Sequence, residues 1–146
     1  MAMVSISVSE TIKAPQDKVY SFVSDFEKAP HYSHYWKSVR VRSREGNVIT
    51  CDTEANVIGK TIKSVTKIVT HPNEKIEAET IQGDGKGTKI TTSFQTVPDG
   101  TRILVEGEIA MPSLLGKLVR GRIESALLED LQIIKWGIEK PDHEPP

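Results

Sequence analysis

The sequence predicts an α+β fold in which a strongly curved antiparallel sheet wraps around one long C-terminal helix. Three observations carry this reading. Apolar and polar residues alternate through most of 36–111, turn signals interrupt that alternation at regular intervals, and after Pro112 the apolar period lengthens to that of an α-helix.

The chain opens with Val4, Ile6, Val8 and Ile12 alternating with Ser5, Ser7 and Ser9, which predicts a strand with one apolar and one polar face. Pro15 then suits the first turn of a helix, where no amide hydrogen is needed. Val19, Phe22, Val23 and Phe26 follow at helical spacing and form a single apolar stripe. Pro30 interrupts this pattern and predicts a second, short helical piece around residues 27–33. Beyond Trp36, turns are signalled at Glu45-Gly46-Asn47, Ile58-Gly59-Lys60, His71-Pro72-Asn73, Gly83-Asp84-Gly85 and Pro98-Asp99-Gly100. Five turns delimit six strands, and the opening strand makes seven. The connections are too short for crossover helices, so neighbouring strands pair antiparallel.

Pro112 closes the last strand, and Ser113 is placed to cap a helix running to about Glu139. Leu115, Leu118, Val119, Ile123, Ala126, Leu127, Leu131, Ile134 and Ile138 give it a broad apolar face, with Lys117, Arg120, Glu124 and Asp130 read as lying mostly elsewhere. A helix of that length spans roughly 40 Å, more than a small core needs. Residues 141–146 read as a polar, flexible tail, leaving 1–140 as one domain.

The bulk composition narrows the function. With 146 residues, 37% hydrophobic and 27% charged, the chain is an ordinary globular sequence able to bury a sizeable core. Nineteen basic against twenty acidic residues leave a net charge of -1, which gives no footprint for nucleic acid. Arg40, Arg42 and Arg44, spaced by two, read as the solvated face of a strand. The lone Cys51 excludes an internal disulfide and sits among alternating apolar positions as a small buried hydrophobe. No run approaches a membrane span and no secretory leader is visible, so the expected setting is cytoplasmic, without stable membrane insertion. HExxH and CxxC spacings are absent, as are phosphate-loop and dinucleotide motifs, so neither a metal nor a cofactor is expected.

The order of elements resembles the helix-grip fold of the START/SRPBCC superfamily, in particular its small polyketide cyclase/dehydrase-like and coenzyme Q-binding-like members. The resemblance is carried by Ala14-Pro15 with Val19, by Val23-Ser24-Asp25-Phe26-Glu27-Lys28 with Pro30, and by Trp36-Lys37-Ser38-Val39. Ser93-Phe94, Pro98-Asp99-Gly100-Thr101 and Pro112-Ser-Leu-Leu-Gly116 extend it over essentially the whole chain. It implies a cavity between sheet and helix that holds a hydrophobic small molecule or lipid, such as a quinone or polyketide. These motifs are structural, so they speak to fold more than to activity.

Strand parity chosen from the apolar residues turns Val39 and Val41 inward, with Thr66 and Ile68, Ile76, Ala78 and Thr80, Ile90, Thr92 and Phe94, and Ile103, Val105, Gly107 and Ile109. Val65 and Val69 argue for the opposite parity on the fourth strand. The expected ligand-contacting set joins Trp36, Thr66, Ala78, Thr80, Thr92, Phe94, Val105, Gly107 and Ile109 to Leu115, Val119, Arg122 and Ile123 of the helix. The expected polar groups of the wall are Thr53, Ser64, Thr66, Thr80 and Thr92, with no carboxylate or lysine, which favours binding over acid-base chemistry. Gly107 either makes room for a ligand or marks a bend.

The segment from His31 to Trp36 is the densest polar and aromatic cluster in the chain. It is read either as a rim, with Trp36 walling the pocket and His34 or Tyr35 donating to a ligand, or as a hydrophobic plug with exposed histidines. Arg122 either reaches over the cavity mouth or extends to solvent. Two alternatives stand beside carrying: a cyclase, aromatase or dehydratase assisted by His34, Tyr35 or Arg122, and a module that docks a protein partner in the same groove.

Overall fold

The structure is a computed structural model that describes residues 2–33, 35–57, 59–111 and 113–140, with no side chains described for residues 2, 57 and 113–118. Its elements are β1 (Ala2–Ile12), α1 (Gln16–Val23), a 3-10 helix (Phe26–His31), β2 (Trp36–Glu45), β3 (Val48–Val57), β4 (Lys60–His71), β5 (Lys75–Gly83), β6 (Lys89–Val97), β7 (Gly100–Met111) and α2 (Ser113–Glu139). The strands form one seven-stranded sheet in the order β1-β7-β6-β5-β4-β3-β2, antiparallel at every step. This is the helix-grip arrangement, with two short helical segments following β1. The predicted tail, 141–146, lies outside the described residues.

The first helical stripe is divided more sharply than its periodicity implies. Asp25 takes φ -84 and ψ 76, outside the helical region, so α1 ends at Val23 and Phe26 passes to the 3-10 helix. Pro30 sits inside that segment, whose short length tolerates a residue without an amide hydrogen. Val19, the residue of α1 that points at the sheet, is fully buried.

Both sheet edges are closed by side chains. Along β1, the Ser7 amide donates to the Glu124 carboxylate at 2.9 Å and the Lys13 amide to Glu139 at 3.0 Å, while Lys135 donates to the Thr11 carbonyl at 2.9 Å. All three partners come from α2, which therefore lies along the β1 edge. At the other end of the sheet, β2 carries irregularities between Trp36 and Ser38 and between Val41 and Ser43, and exposes Arg40, Arg42 and Arg44. Bulges and cations both discourage pairing with a second strand.

Between sheet and helix runs one continuous core. Ile12, Val19, Cys51, Thr101 and Ile103 are its most enclosed side chains, and the Thr101 hydroxyl donates to the Ala14 carbonyl at 2.8 Å. From α2 come Val119, Ile123, Leu127, Leu131, Ile134 and Ile138. No helix among the described residues is long and apolar enough to cross a membrane.

Gly107 has a structural explanation. A Cβ there would run into the Lys89 carbonyl oxygen and stand 2.8 Å from Ile90 Cα, so the backbones of β6 and β7 meet where a side chain would be. The glycine lets the backbones of β6 and β7 approach closely, and Gly107 is not among the residues lining the cavity. Gly107→Ala should therefore lower stability by roughly 1–3 kcal/mol, because backbone must shift to admit the methyl group, and urea unfolding measures the loss. An unchanged midpoint would mean that the sheet relaxes freely there.

Candidate functional site

Between the concave face of the sheet and α2 lies a cavity of about 140 Å³. The sheet supplies Val39, Thr53, Thr66, Ile68, Ile76, Ala78, Ile90, Thr92, Ile103 and Val105; α2 supplies Leu127, Asp130, Leu131 and Ile134. The third wall is built by the segment after β1, through Val23, Phe26, Ala29, Tyr32, Ser33, Tyr35 and Trp36. These residues come together because alternate positions of a strand share a face, whereas on α2 residues 127, 130, 131 and 134 recur at helical spacing.

The polar part of the wall is concentrated at one pole. The Ser33 hydroxyl donates to Asp130 Oδ2 at 2.6 Å and accepts the amides of Tyr35 at 3.0 Å and Trp36 at 2.9 Å. One hydroxyl thus ties the chain entering β2 to the middle of α2. Asp130 is buried, with 6% of its surface exposed. Tyr32 stands close by, its phenol pushed well above the usual range by burial and then by the negative charges of Asp130 and Asp25. Tyr35 packs edge-on against Trp36, ring centroids 4.8 Å apart, and burial pushes its phenol up to about 12. Both phenols stay protonated at neutral pH. A second polar spot lies on the sheet, where the hydroxyls of Thr53 and Thr66 are 3.0 Å apart and Thr53 donates to the Ser64 carbonyl at 3.3 Å.

Of the residues expected at the site, Trp36, Thr66, Ala78, Thr92 and Val105 stand in the cavity wall. Tyr35 stands there too, whereas His31 is exposed and His34 lies outside the described residues. Phe94 is buried away from the wall, its ring taken up edge-on by Tyr20 of α1 at 5.5 Å. Ile109 is opposite Val4 in the β1–β7 register and fills core with that strand. Val119 and Ile123 are likewise core residues, outside the wall. Thr80 faces Thr66 across β4–β5 but follows an irregularity in that register and is half-buried beyond the cavity. Arg122 is exposed on α2 and takes no part in the wall; the side chain of Leu115 is not among those described.

The expectation of a wall free of carboxylates is corrected by Asp130. The signal was present: Asp130 stands three residues after Leu127 and four before Ile134, in the centre of the buried stripe. Ser64 and Thr80, expected as wall hydroxyls, are not part of it. Among the described residues, no group of three or more His, Cys, Asp or Glu is placed to hold a metal ion.

With this geometry in hand, the chain can be set beside known proteins. The family described as "Polyketide cyclase / dehydrase and lipid transport" matches residues 12–133. None of the curated proteins matches the chain in sequence. Among solved structures, a protein of Thermus thermophilus superposes with a TM-score of 0.82 at 21% identity, covering 95% of this chain and 99% of its own. A START superfamily protein of Mycobacterium smegmatis gives 0.73 at 22% identity, with 95% and 98% covered. The Zhui aromatase/cyclase of a Streptomyces species gives 0.76 at 12% identity, with 98% and 100% covered. At such identities the likeness is one of fold.

Two consequences of the site can be measured. Ser33→Ala removes a donor from a buried carboxylate and an acceptor from two amides, and should cost roughly 1–3 kcal/mol of stability in urea unfolding. A smaller loss would mean that water replaces the hydroxyl.

The second consequence is a pH effect. Burial raises Tyr35 from 10.0 to about 12 and Cys51 from 9.0 to about 11, so the unfolded chain sheds these protons first. The folded state then binds more protons than the unfolded one, and stability falls as pH rises through 9 to 12. Unfolding midpoints across that window should decline, and Tyr35→Phe should make the upper part of the decline shallower; an identical slope would place Tyr35 in water.

Proposed function

The chain belongs to the polyketide cyclase/dehydrase and lipid transport family, and from that premise we propose that it takes up a small hydrophobic molecule in the cavity between sheet and α2 and carries it unaltered. The observation that supports this most directly is a mainly aliphatic cavity of about 140 Å³ between the sheet and α2. A cavity of about 150 Å³ lined by aliphatic and aromatic side chains stays dry and binds benzene, so a space of this size and lining has the capacity for one six-membered ring. Among the described residues, every fully buried side-chain polar atom already has a hydrogen-bond partner. The wall therefore makes few demands on its occupant, and apolar contact supplies most of the attraction.

A second reading, cyclase or dehydratase chemistry, is favoured by one feature. Asp130, Tyr32 and Tyr35 bring a carboxylate and two phenols to the same wall, and such groups can move protons. The two readings part on what comes out: a carrier returns its ligand unchanged, whereas an enzyme returns a cyclised or dehydrated product.

The first reading is tested with fluorobenzene, whose fluorine resonance shifts and broadens on binding. The protein should bind it saturably, and Val105→Trp should abolish uptake while cooperative unfolding is retained, because the indole fills the cavity. Uptake unchanged in the variant would remove Val105 from the site. No uptake of fluorobenzene, together with native mass spectra showing no small molecule on protein from its own host, would overturn the carrier reading.

A further inference from the structure

Tyr35 is tied at every polar group but one. Its amide donates to the Ser33 hydroxyl at 3.0 Å, its carbonyl accepts the Asn56 amide at 2.7 Å, and its ring packs edge-on against Trp36. The phenol hydroxyl makes no hydrogen bond to a described residue, although only 8% of the residue is exposed.

The surroundings of that hydroxyl can be narrowed. Among the described residues every fully enclosed side-chain oxygen or nitrogen has a partner, so a hydroxyl without one must touch open space. Burial alone pushes the phenol up to about 12, which puts its oxygen deep in the protein and away from the outer surface. The open space within its reach is therefore the cavity whose wall Tyr35 forms. Tyr32 and Thr92 bring two further hydroxyls to that wall. Tyr35 differs in being held: with backbone and ring both fixed, its O–H can present a proton in few directions.

An occupant changes the balance at this hydroxyl. Water that reaches the phenol can accept its proton, whereas an apolar molecule filling the cavity excludes water. Unless that molecule brings an acceptor, the O–H is left buried and unpaired, which costs more than an ordinary hydrogen bond gains. A carbonyl oxygen meets the need directly, because it accepts strongly and brings no proton that requires a partner in turn.

We propose that the cavity prefers hydrophobic molecules bearing a carbonyl oxygen, with the Tyr35 hydroxyl as the donor that receives it. The proposal rests on the reading that the cavity takes up a hydrophobic molecule, and it narrows the class of that molecule. Ketones and esters of suitable size fall within it; hydrocarbons of equal shape enter without this bond.

Two probes of one six-membered ring separate the claims. Cyclohexanone and methylenecyclohexane have nearly the same shape and differ by an oxygen against a methylene group. The ketone is the better hydrated of the two, so the informative quantity is the ratio of their dissociation constants, compared between wild type and Tyr35→Phe by titration followed through amide chemical shifts. In Tyr35→Phe the ratio should turn against the ketone by ~10-fold, the scale of one hydrogen bond. An unchanged ratio overturns the preference while uptake stands. If neither probe binds the wild type, uptake and preference fall together. A measurement on the wild type alone decides the matter even if the variant does not fold. With tyrosine carbon-labelled at Cζ, the Tyr35 resonance, assigned through its contact with the Trp36 ring, should move further with cyclohexanone than with methylenecyclohexane; equal movement with both overturns the proposal.

Discussion

The architecture depends on how α2 is fixed to the free edge of β1. A curved sheet can close on itself as a barrel or stop short and leave an edge, and here it stops short. The unpaired amides and carbonyls of β1 then need partners. Glu124 and Glu139 take the Ser7 and Lys13 amides and Lys135 reaches the Thr11 carbonyl, three contacts distributed along most of the helix. These bonds fix the rotation of α2 as well as its position. With 124, 135 and 139 turned to the β1 edge, 127, 130, 131 and 134 are turned into the concave face, which is where the cavity lies.

What keeps this space from collapsing is its third wall. Strands and helix could approach until side chains interdigitate, as interiors normally do. The segment between α1 and β2 stands between them, anchored by the Val41 amide on Glu27 at 3.2 Å, by the Asn56 amide on the Tyr35 carbonyl at 2.7 Å, and by Ser33 on Asp130. A buried carboxylate is an expensive way to hold two elements together, and apolar packing of the same volume commonly does as well for stability. The Ser33–Asp130 bond gains its value from specificity: it fixes one distance between the rim and α2 where aliphatic contact would permit several.

Much of this was legible in the sequence because the relevant signals are periodic. Alternation on β2 and β4 to β7 placed Val39, Thr66, Ala78, Thr92 and Val105 on one face, and all five stand in the cavity wall. Period alone does not say where along a face the cavity ends, so Phe94, Ile109, Val119 and Ile123 have the right orientation but are covered by other core residues. Thr80 keeps the parity of Ile76 and Ala78 and pairs with Thr66, yet stands outside the cavity wall, so it too was misplaced along the face and not across it. Asp130 was misread for a different reason. Charged residues on an amphipathic helix are assigned to its wet face by type, and the positional test, whether residues three before and four after are buried, was outweighed by residue chemistry. Its bond to Ser33 joins residues 97 apart in sequence, a separation at which no local pattern operates.

The same bond bears on how large an occupant can be. The sheet is held by ladders across all six strand pairs, and α2 by its contacts along β1, so both resist displacement. The segment from the 3-10 helix to β2 is held by a few discrete bonds, and it is the wall that gives way at least cost. A cavity of about 140 Å³ has room for one ring, and widening it at that wall means drawing Ser33 away from Asp130.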